Sequence, residues 1–235
     1  MLEIVKMSNN KKYILCLETA TTNCSVALSF GGKQVAIKED YDVKYSHAER
    51  LHIYIEEVLA FAKISKNDLS AIAISKGPGS YTGLRIGVSA AKGLCFALDI
   101  PLISIPTLDA LALQATPSKG DLIIPMLDAR RMEVYSAVYD TSFKQIRKTQ
   151  AQVLTEESFT SFLNDGVVHF IGNGVEKFAA VCKHANARFI SGKLPSAKEL
   201  CDIAWAKFEN QNFEDVAYFE PYYLKDFIAG KPKKK

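Results

Sequence analysis

Glu18 and Asp128 are the acids best placed to do chemistry in this chain. Each closes an apolar stretch, Tyr13-Ile14-Leu15-Cys16-Leu17 or Leu122 to Leu127, where the sequence turns polar. A carboxylate at such a turn can hold a metal–phosphate cluster, or it can accept the amide hydrogen bonds of its own loop. Glycine runs follow at a distance. Gly77 and Gly79 open Lys76-Gly77-Pro78-Gly79-Ser80-Tyr81-Thr82-Gly83, and Gly172 and Gly174 flank Asn173. Backbone N–H groups at a strand-to-helix glycine turn attract anions. The spacing nevertheless misses both nucleotide fingerprints, because Thr82 stands where G-x-x-x-x-G needs its second glycine and G-x-G-x-x-G its last. The first run therefore reads as a tight turn or a weak anion site. Glu18, Thr19, Gly77, Gly79, Asp128, Gly172 and Gly174 are the residues a vestigial nucleotide or anion site would use.

No other constellation is stronger. His47 and His52 share a predicted helix, but five residues put them about 140° apart, whereas a helical metal pair wants a four-residue gap. His169 and His184 fall in other segments. Ser80 follows Gly79, yet Pro78 occupies the first glycine position of a nucleophile elbow. No catalytic residue and no metal ligand are assigned.

The elements that would position these residues come in two similar series. The first predicts strands at 13–17, 25–30 and 33–38, and a helix from His47 to about Lys63 with Ser46 and Glu49 as a capping box. A strand at 71–75, the glycine run, a helix from Thr82 to about Leu98, a strand at 101–105 and a helix at 107–114 follow. The second predicts strands at 122–127, 133–139 and 145–153, a helix at 155–163 capped by Thr155, a strand at 167–171, Gly172-Asn173-Gly174 and a helix. A last helix spans 196–208, with Ser196 and Glu199 as a second capping box. Residues 115–120 form the linker. The expected divisions are an N-terminal extension at 1–12, lobes at 13–114 and 121–228, and a basic tail at 229–235. The doubled order resembles the tandem ribonuclease-H-like lobes of the actin, Hsp70 and sugar-kinase (ASKHA) superfamily, an α/β class with mixed sheets.

Composition bounds the partners. Hydrophobic residues make up 48% and charged residues 23%, the balance of a soluble globular protein. Four of the last five residues are lysine, so the formal charge of +3 becomes −1 without them. The body carries no basic face of the kind that grips nucleic acid directly. Five scattered cysteines without a C-x-x-C pair read as reduced core thiols, which points to the cytoplasm. No run is long and apolar enough for a membrane span.

The two long helices of the first half hold a surplus. Leu51, Tyr54, Ile55, Val58, Leu59, Phe61 and Ala62 make the first apolar over a wide arc, and the second has only Arg85 and Lys92 as charges, with a small-faced surface from Gly83, Gly87, Ala90, Ala91 and Gly93. Either the protein's own sheet covers them, or a partner or second copy does.

Several strings together resemble one family. They are Leu17-Glu18-Thr19-Ala20-Thr21, Gly77-Pro78-Gly79-Ser80-Tyr81-Thr82-Gly83-Leu84-Arg85-Ile86-Gly87, Asp128-Ala129-Arg130-Arg131 with Glu133-Val134-Tyr135, Gly172-Asn173-Gly174 and Pro221-Tyr222-Tyr223-Leu224-Lys225. In this order they resemble the TsaB (YeaZ) family, over roughly Tyr13 to Lys225. The resemblance implies a non-catalytic paralogue of the threonylcarbamoyl transferase TsaD, which acts in forming N6-threonylcarbamoyladenosine (t6A) in tRNA. The metal-binding H-x-x-x-H of that enzyme has no counterpart in Ile105-Pro106-Thr107-Leu108-Asp109-Ala110-Leu111. It further implies pairing with TsaD through the two helices, a homodimer through the same surface, the ATPase TsaE as a further partner, and only indirect contact with tRNA. No cofactor is expected to be required, with ATP or ADP bound weakly or only in the complex. The expected interface is Leu51, Tyr54, Ile55, Val58, Leu84, Gly87, Val88, Ala91 and Cys95. Glu18, where many members have aspartate, and Lys225, where arginine is usual, depart from the pattern. The rival readings are an ATP-binding phosphotransferase of the same fold and a metallopeptidase-like homologue.

Overall fold

A computed structural model describes residues 12–40 and 47–225. The Ser46 cap, the basic tail and all of the N-terminal extension but Lys12 lie outside the described residues.

The first lobe contains β1 (Tyr13–Glu18), β2 (Cys24–Phe30), β3 (Lys33–Asp40), α1 (His47–Ala62), β4 (Leu69–Gly77), α2 (Tyr81–Leu98), β5 (Leu102–Pro106) and α3 (Thr107–Ala112). The second contains β6 (Leu122–Asp128), β7 (Glu133–Tyr139), β8 (Gln145–Val153), α4 (Thr160–Asp165), β9 (Val168–Ile171), α5 (Val175–Val181) and β10 (Ala187–Ile190), and α6 (Ala197–Glu209) is the last described helix. The sheets run β3-β2-β1-β4-β5 and β10-β9-β6-β7-β8. Reversing the second gives the first: each begins with two antiparallel hairpin strands, then adds two parallel strands beside the founding strand. The doubled ribonuclease-H-like topology is therefore present.

Period-two burial explains β1. Leu15 and Leu17 join Val26, Leu28, Ile72 and Ile74 beneath α1 and α2, whereas Ile14 and Cys16 join Ala27, Ala71 and Ala73 on the opposite face. That opposite face is small, and α6 lies on it through Ala197, Leu200, Cys201 and Ala204. The division at 121–228 is thus corrected. The C-terminal helix returns to sheet 1, because the alanines and Cys16 there leave room for a helix to approach closely. The hydroxyl of Ser196 caps α6 by accepting the Lys198 N–H at 3.2 Å.

The lobes share a core. Leu108, Leu111 and Ala112 of α3 pack with Ile123, Leu127 and Tyr139 of sheet 2, and the Tyr139 hydroxyl donates to Asp109 at 2.6 Å. Local differences from the expected elements are few. β10 and a one-turn helix at Lys66–Asp68 appear in segments read as irregular. Thr155 does not cap α4; its N–H donates to the Ser158 hydroxyl at 2.9 Å in a preceding turn, and the helix starts only after Phe159 takes φ 64°.

Candidate functional site

The carboxyl ends of β1 and β4 meet at the interlobe cleft, where the glycine run enters α2. Its glycines admit backbone and leave no cradle. A Cβ at Gly79 would lie 2.5 Å from the Ala20 carbonyl, one at Gly83 2.1 Å from the Thr19 carbonyl, and one at Gly87 2.2 Å from the Thr19 hydroxyl. The Ser80 N–H donates to Ala20 at 2.7 Å, and the Thr19 hydroxyl donates to the Gly83 carbonyl at 2.8 Å. The glycines thus let the turn after β1 pack directly against the glycine run. Gly172 and Gly174 have the same role in lobe 2, where their added Cβ atoms would meet Met126 and Val134. Among the described residues, the seven sequence-chosen site positions contribute only Gly79 and Asp128 to the lining of the cleft, whose volume is about 840 Å³.

Neither acid is poised for a metal. Asp128 accepts the Arg130 N–H at 2.5 Å and pairs with Lys177 at 2.8 Å, so it organises its own turn. Glu18 is fully buried, with Oε1 accepting the Ala20 N–H at 2.6 Å and Oε2 without a hydrogen-bond partner. Burial pushes its pKa up to about 7; the Ser75 hydroxyl and the turn amides pull it down, and Glu199 adds repulsion. The histidines are dispersed. His47 Nε2 lies 2.7 Å from the Thr21 carbonyl and His169 Nε2 2.8 Å from Asp121, while His52 faces outward on α1. Among the described residues no three His, Cys, Asp or Glu side chains gather as a metal set. All five cysteines are free and buried.

The helix pair is the other candidate, and here the expected interface residues are corrected. Leu51, Ile55, Val58, Leu84, Gly87, Val88, Ala91 and Cys95 are buried against the lobe's own sheet, with Tyr54 half-buried beside them. They form the inward stripe, so they offer no surface to a partner. The outward side holds a groove of about 610 Å³ between α1 and α2, lined by Ala48, His52, Ile86, Ser89, Gly93 and Leu94 among others. Phe96, 85% exposed, lies on the same side of α2 as Ser89 at helical spacing, and Phe61 at the end of α1 is 75% exposed. A Cβ built on Gly93 meets nothing within 4 Å. Helical periodicity alone showed an apolar arc wider than one sheet needs, but not which part of it the sheet would take.

Sequence reasoning missed the segment after α6. Glu214 forms an antiparallel bridge to Leu102 at the edge of sheet 1, and Lys92 of α2 donates to the carbonyls of Ala217 and Phe219. The string Pro221 to Lys225 then runs along the cleft. Its apolar and aromatic residues were the available signal.

Two tandem ribonuclease-H-like lobes facing each other across a cleft define a protein of the ASKHA fold class. Comparison with known proteins narrows this. The family match is to TsaD, tRNA N6-adenosine threonylcarbamoyltransferase, over residues 41–234. The tRNA threonylcarbamoyladenosine biosynthesis protein TsaB of Escherichia coli K12 is 30% identical over 93% of this chain and 96% of its own, and that of Haemophilus influenzae is 28% identical over 93% and 95%. YeaZ from Pseudomonas aeruginosa superposes with a TM-score of 0.77 at 27% identity, covering 91% of this chain and all of its own. The chain belongs to the TsaB (YeaZ) family, within the wider relationship to TsaD. Among the described residues no helix is long and apolar enough to cross a membrane.

Proposed function

We propose that this chain is a non-catalytic subunit of the machinery that forms t6A in tRNA, and that it acts by docking and supporting the transferase TsaD. One observation carries this reading: the outward groove of α1 and α2, with the exposed Phe96 further along the same side of α2, is uncovered by any described element of the chain. Exposed aromatics beside a small-residue groove suit a helix from a partner, and residues of this kind dominate interface energetics. The cleft supports the non-catalytic half of the reading, since its glycine turns admit backbone and Asp128 is bound to Lys177. On this reading ATP or ADP is not required by the isolated chain, TsaE joins the assembled complex, a homodimer competes for the same helices, and the cytoplasm is the site of action.

The test separates docking from folding. Gly93→Arg puts a bulky cation into open space on α2, where replacing glycine also favours the helix by about 0.5–1 kcal/mol. The variant should keep its unfolding midpoint, fail to co-purify with TsaD and abolish t6A formation by the reconstituted complex. Gly87→Arg, in contrast, must displace Thr19 and should unfold the lobe. Wild-type co-purification and t6A formation by Gly93→Arg would refute the docking face. Turnover of Mg-ATP by the isolated chain would refute the non-catalytic reading in favour of the phosphotransferase.

A further inference from the structure

One side of the interlobe cleft is formed by the segment that follows α6. Tyr222, Tyr223, Leu224 and Lys225 line it, facing Tyr81 of lobe 1 and Tyr135 of lobe 2. The attachment is graded along the segment. Upstream it is firm: the Glu214 N–H donates to Leu102 at 2.8 Å, Lys92 Nζ donates to Phe219 at 2.9 Å, and Val216 and Phe219 pack against the core of lobe 1. The Tyr222 N–H then donates to the Lys76 carbonyl at 2.7 Å, and the Tyr222 carbonyl lies so close over Gly77 that a Cβ there would approach it to 2.7 Å.

Past that anchor the character of the contacts changes. The Tyr223 ring lies 5.0 Å from that of Tyr81, and the Lys225 ammonium pairs with the Glu133 carboxylate of lobe 2. Among the described residues no backbone hydrogen bond accompanies these side-chain contacts at 223–225. The Lys225 side chain is 44% exposed, and contacts of this kind each shift a closed-to-open ratio by about tenfold at most.

We propose that residues 221–225 form an intramolecular latch. Hinged at Tyr222 on lobe 1 and fastened to lobe 2 through Lys225 and Glu133, it closes the cleft in the isolated chain. Its release uncovers the half-buried Gly79–Tyr81 loop of lobe 1 and Glu133 and Tyr135 of lobe 2. Firm attachment followed by a weak, cross-lobe fastener is what a latch requires, whereas a merely structural C-terminus would be bonded to one lobe throughout.

The experiment measures opening directly in the full chain at low salt. Chymotrypsin cleavage after Tyr223 tracks the population of the open form when opening is fast relative to cleavage. Amide exchange across residues 128–135 reports the cleft wall. Lys225→Glu and Glu133→Lys should each raise the cleavage rate by up to about fivefold and speed exchange in that wall. The charge-swapped double variant should return both to wild type. Tyr81→Ala, which leaves the strap sequence untouched, should raise cleavage by up to about tenfold. If the single variants match wild type, or if the double variant adds their effects instead of cancelling them, the latch is refuted. A general loss of folding cannot imitate the latch, because the reversed ion pair would not rescue it.

Discussion

Replacing Glu18 by glutamine should remove most of a pH dependence of stability that the fold imposes on this one side chain. In the folded protein the carboxyl is fully buried with Oε2 lacking a partner, and burial raises its pKa from an ordinary 4.5 to about 7. Below 4.5 both folded and unfolded chains hold the proton. Between 4.5 and 7 the unfolded chain releases it while the folded chain keeps it, so stability falls as pH rises; above 7 both have lost it and the curve levels. A shift of this size is worth about 3 kcal/mol at about 1.36 kcal/mol for each pH unit. The contribution is thus present in acid and lost on the way to pH 8. Glu18→Gln keeps an oxygen to accept the Ala20 N–H and carries no charge at any pH. It should fall below wild type near pH 5 by the cost of one further buried N–H, about 1–3 kcal/mol, and gain about 3 kcal/mol on wild type between pH 5 and pH 8. Urea unfolding of both proteins from pH 5 to 8 reads the difference. For a chain this long each kcal/mol also moves the thermal midpoint by about 2–4 °C. Parallel stability curves for the two proteins would show that Glu18 is not the titrating group and would refute the reasoning.

Three other substitutions sort structural from docking roles. Leu51→Ala empties a fully buried site in the core of lobe 1, so unfolding should become easier by about 2–5 kcal/mol while the folded fraction still binds TsaD, as measured by calorimetry below its midpoint. Ser196→Ala removes the cap of α6 and a donor 2.7 Å from Glu39; a loss of about 1 kcal/mol or more in urea unfolding is expected. Asp128→Ala frees Lys177 and the turn after β6, and should lower stability by about 1 kcal/mol while leaving t6A formation by the reconstituted complex near wild type. A collapse of t6A formation in Asp128→Ala without loss of folding would instead give that carboxylate a functional role.

The strands and long helices were legible because their signals are local. The continuous apolar run of β1 requires cover on both faces, and the β7 and β8 boundaries coincide with the expected strands at 133–139 and 145–153. Short elements were less so: α4 begins five residues after Thr155, because the bond from the Thr155 N–H to the Ser158 hydroxyl belongs to a separate turn and Phe159 takes φ 64° before the helix starts. The candidate site was half legible. Its glycines stood out by type, but their purpose is a close approach to Thr19 and Ala20. The expected interface residues were drawn from the inward side of α1 and α2, because apolar content marks a face for burial without naming its cover.

By itself the sequence determined the α/β class, the doubled order of elements and the absence of a complete nucleotide fingerprint. These depend on residue type and spacing over a few turns of chain. Tertiary structure alone decided that α6 crosses back to the small face of sheet 1, that Leu51 and Gly87 turn inward while Gly93 and Phe96 stay out, and that Tyr222 to Lys225 line the cleft. Each of those outcomes depends on the shape of a surface assembled from distant segments, where alanine on one sheet face and glycine against one carbonyl set how near a neighbour can come.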